Sequence, residues 1–439
     1  TAAEVGLPVG AFNPFNPFQQ IISNGTRARL ADFGNRLYDQ ENEAWLSTLG
    51  VKGDKLFDGS WGYDAAFRYS QILNVSRTQD VNVIRFNQIM NANDPIFDPN
   101  SSVFIGTTIP YNPFGQPLQH PIAANAATID YATMFRKDLN TSKLAGLDGN
   151  IYTTDLFDLP AGGVGLAFGG GWRRERLFLD PDDQGRLKQE AGVGQSFRTQ
   201  AGRKDWDFYT EMLFPIFSPK MGIPGFYSLE ITGADRVEVF RNNDTNAWVP
   251  KVGVRWQPFD EELTIRSTWG EGFLEPSLFQ LYGGPAFILA PTSLPGGNST
   301  PETTEEIAPN PKLQPEDSRN WTGGVVYTPK WIQNFIPNST LTVSVDLWDI
   351  ERNGVVVVPG AQEVIRRFLT GSLLPLEEVI IDESSETVTF LQTAYTNAGK
   401  ENARGVDLGL QFQIQTRFGT FTSITQATYL DSFIFQPTN

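Results

Sequence analysis

Short and long connections alternate along this chain, and they join stretches whose hydrophobic residues recur at every second position. In "GVDLGLQFQIQTRFG", residues 405–419, polar or small residues alternate with five apolar ones: Val406, Leu408, Leu410, Phe412 and Ile414. Successive side chains of a β-strand point to opposite faces, so this stretch has one apolar and one hydrophilic face. The pattern recurs in "PKVGVRWQP" and "LTVSVDLWD". Each such strand fits either a soluble antiparallel sheet on a core or a membrane barrel with lipid outside and water inside.

The connections favour the barrel. Tight turns such as "QPFDEE" and "RFGT" alternate with long segments, and only "RNNDTNA" departs from the scheme. Soluble sandwiches mix loop lengths at both ends, whereas outer-membrane barrels have short periplasmic turns and long external loops. The sequence therefore predicts an all-β antiparallel transmembrane β-barrel. Its segments are a loop or a stretch leading into the barrel at 1–44, a partial barrel at 45–439, and long extracellular loops at about 73–142, 178–195, 273–318 and 352–388.

In this barrel the apolar residues of 405–419 are expected to face lipid. The residues of opposite parity, Asp407, Gln411 and Gln413, are expected to face the lumen. Closure of the sheet removes unpaired edges, which lipid cannot hydrogen-bond.

Composition excludes several classes of function. The 50 acidic and 34 basic residues give a net charge of −16, which repels nucleic-acid phosphates. The absence of cysteine rules out disulfides, thiolate metal sites and cysteine nucleophiles, and it suits passage through an oxidising compartment. A single histidine, His120, leaves no imidazole cluster for a metal or a catalytic relay. We also find no G-x-S-x-G elbow and no phosphate-binding loop, so no enzyme is predicted.

Five segments resemble, in order, the barrel of TonB-dependent outer-membrane receptors. They cover roughly residues 45–430 and are "LSTLGVKGDKLFDGSWGYDAAFRYS", "FDLPAGGVGLAFGGGWRRE", "VPKVGVRWQPFDEELTIRSTWGEGFLEPSLFQLYGG", "NPKLQPEDSRNWTGGVVYTP" and "TNAGKENARGVDLGLQF". The most specific parts are "GEGFLEPSLFQLYG" and "NPKLQPEDS". The chain departs from the family at Leu274, where an arginine is usual.

The resemblance implies a 22-stranded barrel in the bacterial outer membrane, with a plug in its lumen and nutrient import powered by TonB. About twelve strands are recognisable here, and no plug-like region or TonB box precedes residue 45. We therefore expect the chain to be part of a longer receptor, whose N-terminal plug and remaining strands lie elsewhere. Its expected partners are the TonB complex through that plug, outer-membrane lipid, and a ligand that is a siderophore, cobalamin, an oligosaccharide or a peptide. No cofactor is predicted.

Residues expected to meet the ligand are aromatic or basic residues of the long loops. Aromatic and arginine contacts carry much of the energy of binding in general. The candidates are Tyr111, Phe114, His120, Phe279, Tyr282, Phe287, Arg366 and Arg367.

Two charged motifs have alternative interpretations. "LDPDDQG" places Asp180, Asp182 and Asp183 as in the start of a calcium loop, but no glutamate follows at the twelfth position, which favours a solvated turn. The arginines of "WRRERL" either grip an anionic ligand or contact lipid head groups and loop carboxylates.

Two other functions stay open at the level of sequence: a passive porin or adhesion barrel, and a secreted all-β glycan-binding or glycan-active protein. A secreted protein stays soluble without detergent, and a porin conducts ions by itself. A plugged receptor does neither.

Overall fold

In the described part of the chain, twelve long strands form one antiparallel sheet, here called the wall, in which each strand pairs with the wall strands before and after it in the sequence. The computed structural model describes all residues except 1–3, 7–8, 23–26, 58, 95–96, 99–102, 105–108, 115–124, 242–243, 297–298 and 438–439. The wall strands are β1 (Leu37–Leu56), β2 (Trp61–Val81), β3 (Thr133–Thr153), β4 (Gly165–Asp180), β5 (Thr199–Phe217), β6 (Ser228–Phe240), β7 (Thr245–Gln257), β8 (Leu263–Leu274), β9 (Glu316–Tyr327), β10 (Ser339–Val357), β11 (Thr396–Thr416) and β12 (Gly419–Gln436). The predicted antiparallel all-β fold is confirmed. Among the described residues β1 and β12 are the two edges, and they do not pair with each other.

The alternating sequence pattern gives the wall one apolar and one polar face. Residues directly opposite each other on paired strands share a face, so the register aligns them in rows across the sheet. One apolar row runs through Leu408, Val345, Val325, Ile265 and Trp256. Its first three members are 48, 40 and 41% exposed, so no second sheet in the described part of the chain covers this row. The soluble-sandwich interpretation is therefore not supported.

The adjacent row is charged and lies on the opposite face. Asp407 is opposite Asp346, then follow Gly324 and Arg266 on the next two strands. Arg266 spans Gly324 to reach the Asp346 carboxylate, with nitrogen–oxygen distances of 3.0 and 2.8 Å. A Cβ at Gly324 would lie 2.0 Å from Asp346 Oδ1, so this ion pair requires glycine at that position.

Connection lengths differ between the two ends of the wall. One end has mostly short connections at 57–60, 154–164, 218–227, 258–262, 328–338 and 417–418. The other end, here called the long-loop end, has connections at 82–132, 181–198, 275–315 and 358–395 and one short turn at 241–244. The first wall strand begins at Leu37, within the segment 1–44 that the sequence assigns to a loop or a stretch leading into the barrel.

Helices are few and lie in the connections. They are α1 (Val83–Met90), α2 (Ala126–Ala132), α3 (Asp183–Arg186), α4 (Leu278–Tyr282), α5 (Ile332–Phe335) and α6 (Ala361–Leu369), with 3₁₀ turns at Ala31–Phe33 and Pro219–Met221. None of the helices in the described part of the chain combines the length and apolarity needed to cross a membrane.

Two hydrophobic clusters organise the long-loop end. The first joins the N-terminal segment to the connections 82–132 and 181–198. Its buried members are Val9, Leu30, Val81, Phe86, Ile89, Met90, Tyr111, Ala132 and Ala191. Among the described residues, three short two-stranded pairings lie outside both clusters: Glu4–Gly6 with Arg27–Arg29, Phe97–Asp98 with Val103–Phe104, and Asp158–Leu159 with Gly162–Gly163.

The second cluster lies between α6 and a four-stranded sheet, here called the loop sheet. Its strands are, in spatial order, Ala286–Ser293, Ser299–Ala308, Thr387–Ala394 and Glu378–Asp382. The two central strands are parallel and come from different connections, so the loop sheet joins 275–315 to 358–395. Val364, Val388 and Leu391 are fully buried between α6 and this sheet.

Candidate functional site

The two most specific sequence motifs contact each other at the long-loop end of the wall, beside the ends of β8 to β11. Asn310 of "NPKLQPEDS" donates its backbone N–H to the carbonyl of Gln280 in "GEGFLEPSLFQLYG", at 2.9 Å. The Asn397 side chain donates to the carbonyls of Gln314 and Gly354, both at 2.8 Å, and accepts from the Gln314 N–H at 2.9 Å. These contacts fix the exits of two long connections, so the motif residues support the site without lining it.

Replacing Asn397 by alanine is expected to loosen this junction. Each backbone group left without a partner costs about 1–3 kcal/mol when water cannot reach it, and Asn397 is half-buried. We expect faster proteolysis of the connections 275–315 and 358–395 in the folded protein, without loss of the barrel. Asn334→Ala, in a short connection at the opposite end, is the control. Equal proteolysis of both variants would contradict the assigned role.

A groove of about 360 Å³ opens on the polar face near the long-loop end. Its charged and apolar lining residues are Arg173, Glu175, Arg203, Asp205, Arg236, Glu238, Phe240, Phe273, Leu274 and Glu275. Leu274, the position at which the sequence departs from the family, therefore adds an apolar side chain to a charged surface.

The groove contains an ion-pair network that links three strands. Arg173 donates to Asp205 at 2.8 Å and pairs with Glu238 on β6. Arg236 lies 2.9 Å from the same glutamate, and Asp205 and Glu238 are 2 and 3% exposed. Arg203 pairs with Glu175 at 2.8 Å. A groove with fixed arginines and carboxylates can orient a polar ligand by charge-assisted hydrogen bonds.

Of the three ligand candidates of the first long connection, Tyr111 and Phe114 have different surroundings. Tyr111 is buried in the first cluster, and its hydroxyl donates to both Asp32 oxygens at 2.8 and 2.9 Å. Burial, followed by the Asp32 carboxylate, raises the pKa of Tyr111. Phe114 is 43% exposed, and His120 lies outside the described residues.

Phe114 belongs to one of three Asn-Pro-Phe turns at the long-loop end, a repeat that the sequence interpretation missed. In each turn the asparagine side chain accepts the phenylalanine N–H, at 3.0 Å for Asn13, 3.1 Å for Asn16 and 2.9 Å for Asn112. The side chains of Asn13 and Asn16 are also buried, whereas Phe18 is 68% exposed. The turns thus present phenylalanine rings on a rigid backbone.

The candidates of the connection 275–315 lie on and beside α4. Ser277 and Gln280 form a reciprocal capping box that starts this helix, as the sequence "PSLFQ" dictates. Phe279 is partly exposed and Tyr282 is half-buried. Phe287 packs on Phe197 of the connection 181–198, with ring centroids 6.2 Å apart. This contact ties the two connections together.

Arg366 and Arg367 lie on α6 and point to different environments. Arg367 is buried and forms a forked pair with Glu377, at 2.7 and 3.1 Å. Arg366 is exposed and bonds Glu363, whose pKa it lowers. Arg367 therefore ties α6 to the residue just before the edge strand of the loop sheet, and Arg366 stays accessible to solvent.

The three aspartates of "LDPDDQG" are used by other contacts. Asp180 pairs with Arg198 at 2.6 Å, Asp182 caps α3 by accepting the Gln184 N–H, and Asp183 pairs with Arg186. In the part of the chain that the structure describes, no group of three acidic, histidine or cysteine side chains is placed to hold a metal ion.

The stability of the loop sheet is expected to depend on pH through Glu305. Burial raises its pKa, so the folded state binds the proton more tightly than the unfolded state. The loop sheet should therefore lose stability as the pH rises through the raised pKa. Glu305→Gln should slow hydrogen exchange of Ser299–Ala308 at pH 7 and flatten its dependence on pH, after correction for intrinsic rates. Glu383→Gln, on an exposed turn, should change neither quantity; a flat pH profile in the unmodified protein would contradict the effect.

Sequence reasoning named Arg173 and Leu274 but missed the other charged residues of the groove. Arg236 and Glu238 in "DRVEVFR" and Asp205 and Asp207 in "DWDFY" are charged residues of a single strand parity, which is the signal that could have found them.

Comparisons with known proteins agree with this geometry. Residues 5–439 match the family described as TonB dependent receptor-like, beta-barrel. A mutant of the ferric enterobactin receptor from Pseudomonas aeruginosa superposes with a TM-score of 0.52 at 13% identity, covering 89% of this chain and 44% of that one. The siderophore receptor from Acinetobacter baumannii gives 0.44 at 13% identity, covering 90 and 61%. A search of the curated proteins returned no match.

The chain spans less than half the length of the enterobactin receptor that it resembles. The match to the family nevertheless covers nearly all of residues 1–439, and the two faces of the wall agree with it. This chain belongs to the β-barrel family of TonB-dependent receptors, which are transport proteins of the bacterial outer membrane.

Proposed function

We propose that the protein captures a scarce nutrient with its long connections and passes it through a plugged barrel, using energy transmitted by TonB. The nutrient class is a siderophore, cobalamin, an oligosaccharide or a peptide. Contact with TonB is assigned to an N-terminal plug elsewhere in the whole protein. No catalytic step is part of the proposal, because a receptor that imports a nutrient binds and releases it unchanged.

The observation that carries this proposal is the polarity of the wall. Apolar rows such as Leu408, Val345 and Val325 suit lipid, and the opposite face carries the Arg173–Asp205–Glu238 network beneath the long connections. A polar groove below a layer of loops gives a ligand a path from capture to the lumen.

The linked connections supply a capture surface. The loop sheet joins the connections 275–315 and 358–395, and the Phe197–Phe287 contact joins 181–198 to 275–315. Three of the four long connections are therefore held together by these contacts. Exposed phenylalanines on the Asn-Pro-Phe turns offer flat apolar surfaces at small entropic cost.

Uptake by the full-length protein tests the proposal. We would express it in a host that lacks its own receptors and supply labelled ligands from the four classes, with and without functional TonB. We expect accumulation of one class only when TonB works. Equal uptake in both hosts, together with ion conduction in planar bilayers, would support a passive porin. A protein that stays soluble without detergent and binds or cleaves glycans would support the secreted alternative.

A double substitution tests whether the phenylalanines of the Asn-Pro-Phe turns contact the ligand. Phe18→Ala with Phe114→Ala should weaken ligand binding about tenfold, since exposed aromatic anchors dominate such contacts. Phe335→Ala, an exposed phenylalanine at the opposite end of the wall, is the matched control. Unchanged affinity in the double variant would place capture elsewhere.

A further inference from the structure

A cluster of cations lies on the apolar face of the wall, opposite the ion-pair network. β4 separates the arginines of "WRRERL" by parity: Arg173 points to the polar face, whereas Arg174 and Arg176 share the face of Trp172. Three further basic residues complete the cluster, here called the basic patch: Lys143, Lys204 and Arg241.

The register places the basic patch directly beyond an aromatic pair. Trp172 is opposite Trp206, and two residues further towards the long-loop end Arg174 is opposite Lys204. Arg176 follows on the next row, opposite Lys143 of β3. At about 3.3 Å per residue, these rows lie about 7 and 13 Å beyond the tryptophans. Tryptophans mark the interface of a membrane, so the basic patch lies at the level of the outer head groups.

The basic patch combines a concentration of positive charge with room for a ligand. Within the described residues no ion pair joins any of its five members to an acidic side chain. The neighbouring Glu175 pairs with Arg203, which belongs to the opposite parity. The patch lines a groove of about 860 Å³, whose other walls include Thr141, Phe178 and Gly202 and the paired Glu175 and Arg203. A Cβ at Gly202 would lie 2.9 Å from the backbone oxygen of Glu175, so the close strand approach at this position of the groove favours glycine.

From this arrangement we infer that the basic patch binds the phosphate groups of an outer-leaflet lipid. Arginine forks match phosphate oxygens, and lysine adds point charge. The apolar rows below the patch, which include Leu147 and Phe67, accommodate the acyl chains of the same molecule. A soluble anion would gain nothing from that apolar surface, which is why the position favours a lipid. The inference rests on residence in the outer membrane and is independent of the imported nutrient.

Native mass spectrometry of the detergent-solubilised full-length protein tests this site. The probes are bisphosphorylated lipid A and the same lipid after removal of its phosphates. The triple variant is Arg174→Gln, Arg176→Gln and Lys204→Gln. The matched control removes three positive charges from the short connections: Lys220→Gln, Lys330→Gln and Arg417→Gln.

The unmodified protein and the control should bind the phosphorylated lipid at least about tenfold more tightly than the dephosphorylated one, and the triple variant should lose this preference. No preference in the unmodified protein would overturn the inference, and so would equal behaviour of the two variants. Displacement of the lipid by an equal concentration of inorganic phosphate would also overturn it, because it would indicate a soluble-anion site. The comparison of the two lipids on the unmodified protein stands even if the triple variant does not fold. Nutrient uptake is a separate readout, so failure here leaves the proposed function untouched.

Discussion

Replacing Arg173 by leucine should lower the free energy of unfolding of the barrel by roughly 3 kcal/mol. Arg173 is the shared partner of Asp205 and Glu238, both of which are buried, and removing it leaves two carboxylates close together without that cation. Removal of one partner from a buried ion pair typically costs 3–5 kcal/mol. The lower end applies here because Arg173 itself is 40% exposed and water partly replaces it. Urea unfolding of the full-length protein in lipid vesicles, followed by tryptophan fluorescence, gives the measurement.

Arg68→Leu is the matched control for this prediction. Arg68 pairs with Asp148 on the same polar face, but the two side chains are 53 and 38% exposed. Exposed pairs contribute about 0–1 kcal/mol, so this variant should be close to the unmodified protein. Arg173→Lys should fall between the two, because it keeps the charge and loses the fork. Equal losses in Arg68→Leu and Arg173→Leu would show that burial of the carboxylates does not control the effect.

The faces of the wall could be predicted from sequence because one local rule fixes them. Side chains alternate along any strand, so the parity of Leu408 and Asp407 in 405–419 is visible without knowledge of their neighbours. Connection lengths were readable for the same reason, since Gly, Pro and Asp mark turns locally. The strand order then follows, because short turns join only adjacent antiparallel strands.

The interior of the loop layer could not be predicted, because it depends on pairings between residues far apart in sequence. Ser299–Ala308 and Thr387–Ala394 form a parallel pair, and nothing local in either segment specifies the other. Tyr111 shows the consequence. Its loop position suggested ligand contact, whereas the fold buries its ring and bonds its hydroxyl to Asp32. Whether the exposed candidates, such as Phe114 and Arg366, contact a ligand stays a prediction.

Replacing Leu408 by arginine should destabilise the barrel by roughly 2–4 kcal/mol, the cost of a cation that faces lipid near the bilayer midplane. Leu408 lies in the row of Val345 and Val325. Along β9 that row falls between Trp321 and Tyr327, aromatic residues that suit the two membrane interfaces. The side chain therefore cannot reach water at either interface without distorting the strand or thinning the bilayer. Reversible unfolding in vesicles measures the loss.

Gln411→Arg provides the comparison within the same strand. Gln411 has the opposite parity and lies opposite Thr342, so its arginine would point into the lumen and stay hydrated. We expect a change of at most about 1 kcal/mol, since substitutions on the lumenal face do not expose charge to lipid. The difference between the two variants depends only on which face each side chain occupies, because the strand, the residue introduced and the assay are the same. Equal losses in Gln411→Arg and Leu408→Arg would contradict this assignment of the two faces, and a larger loss in Gln411→Arg would reverse it.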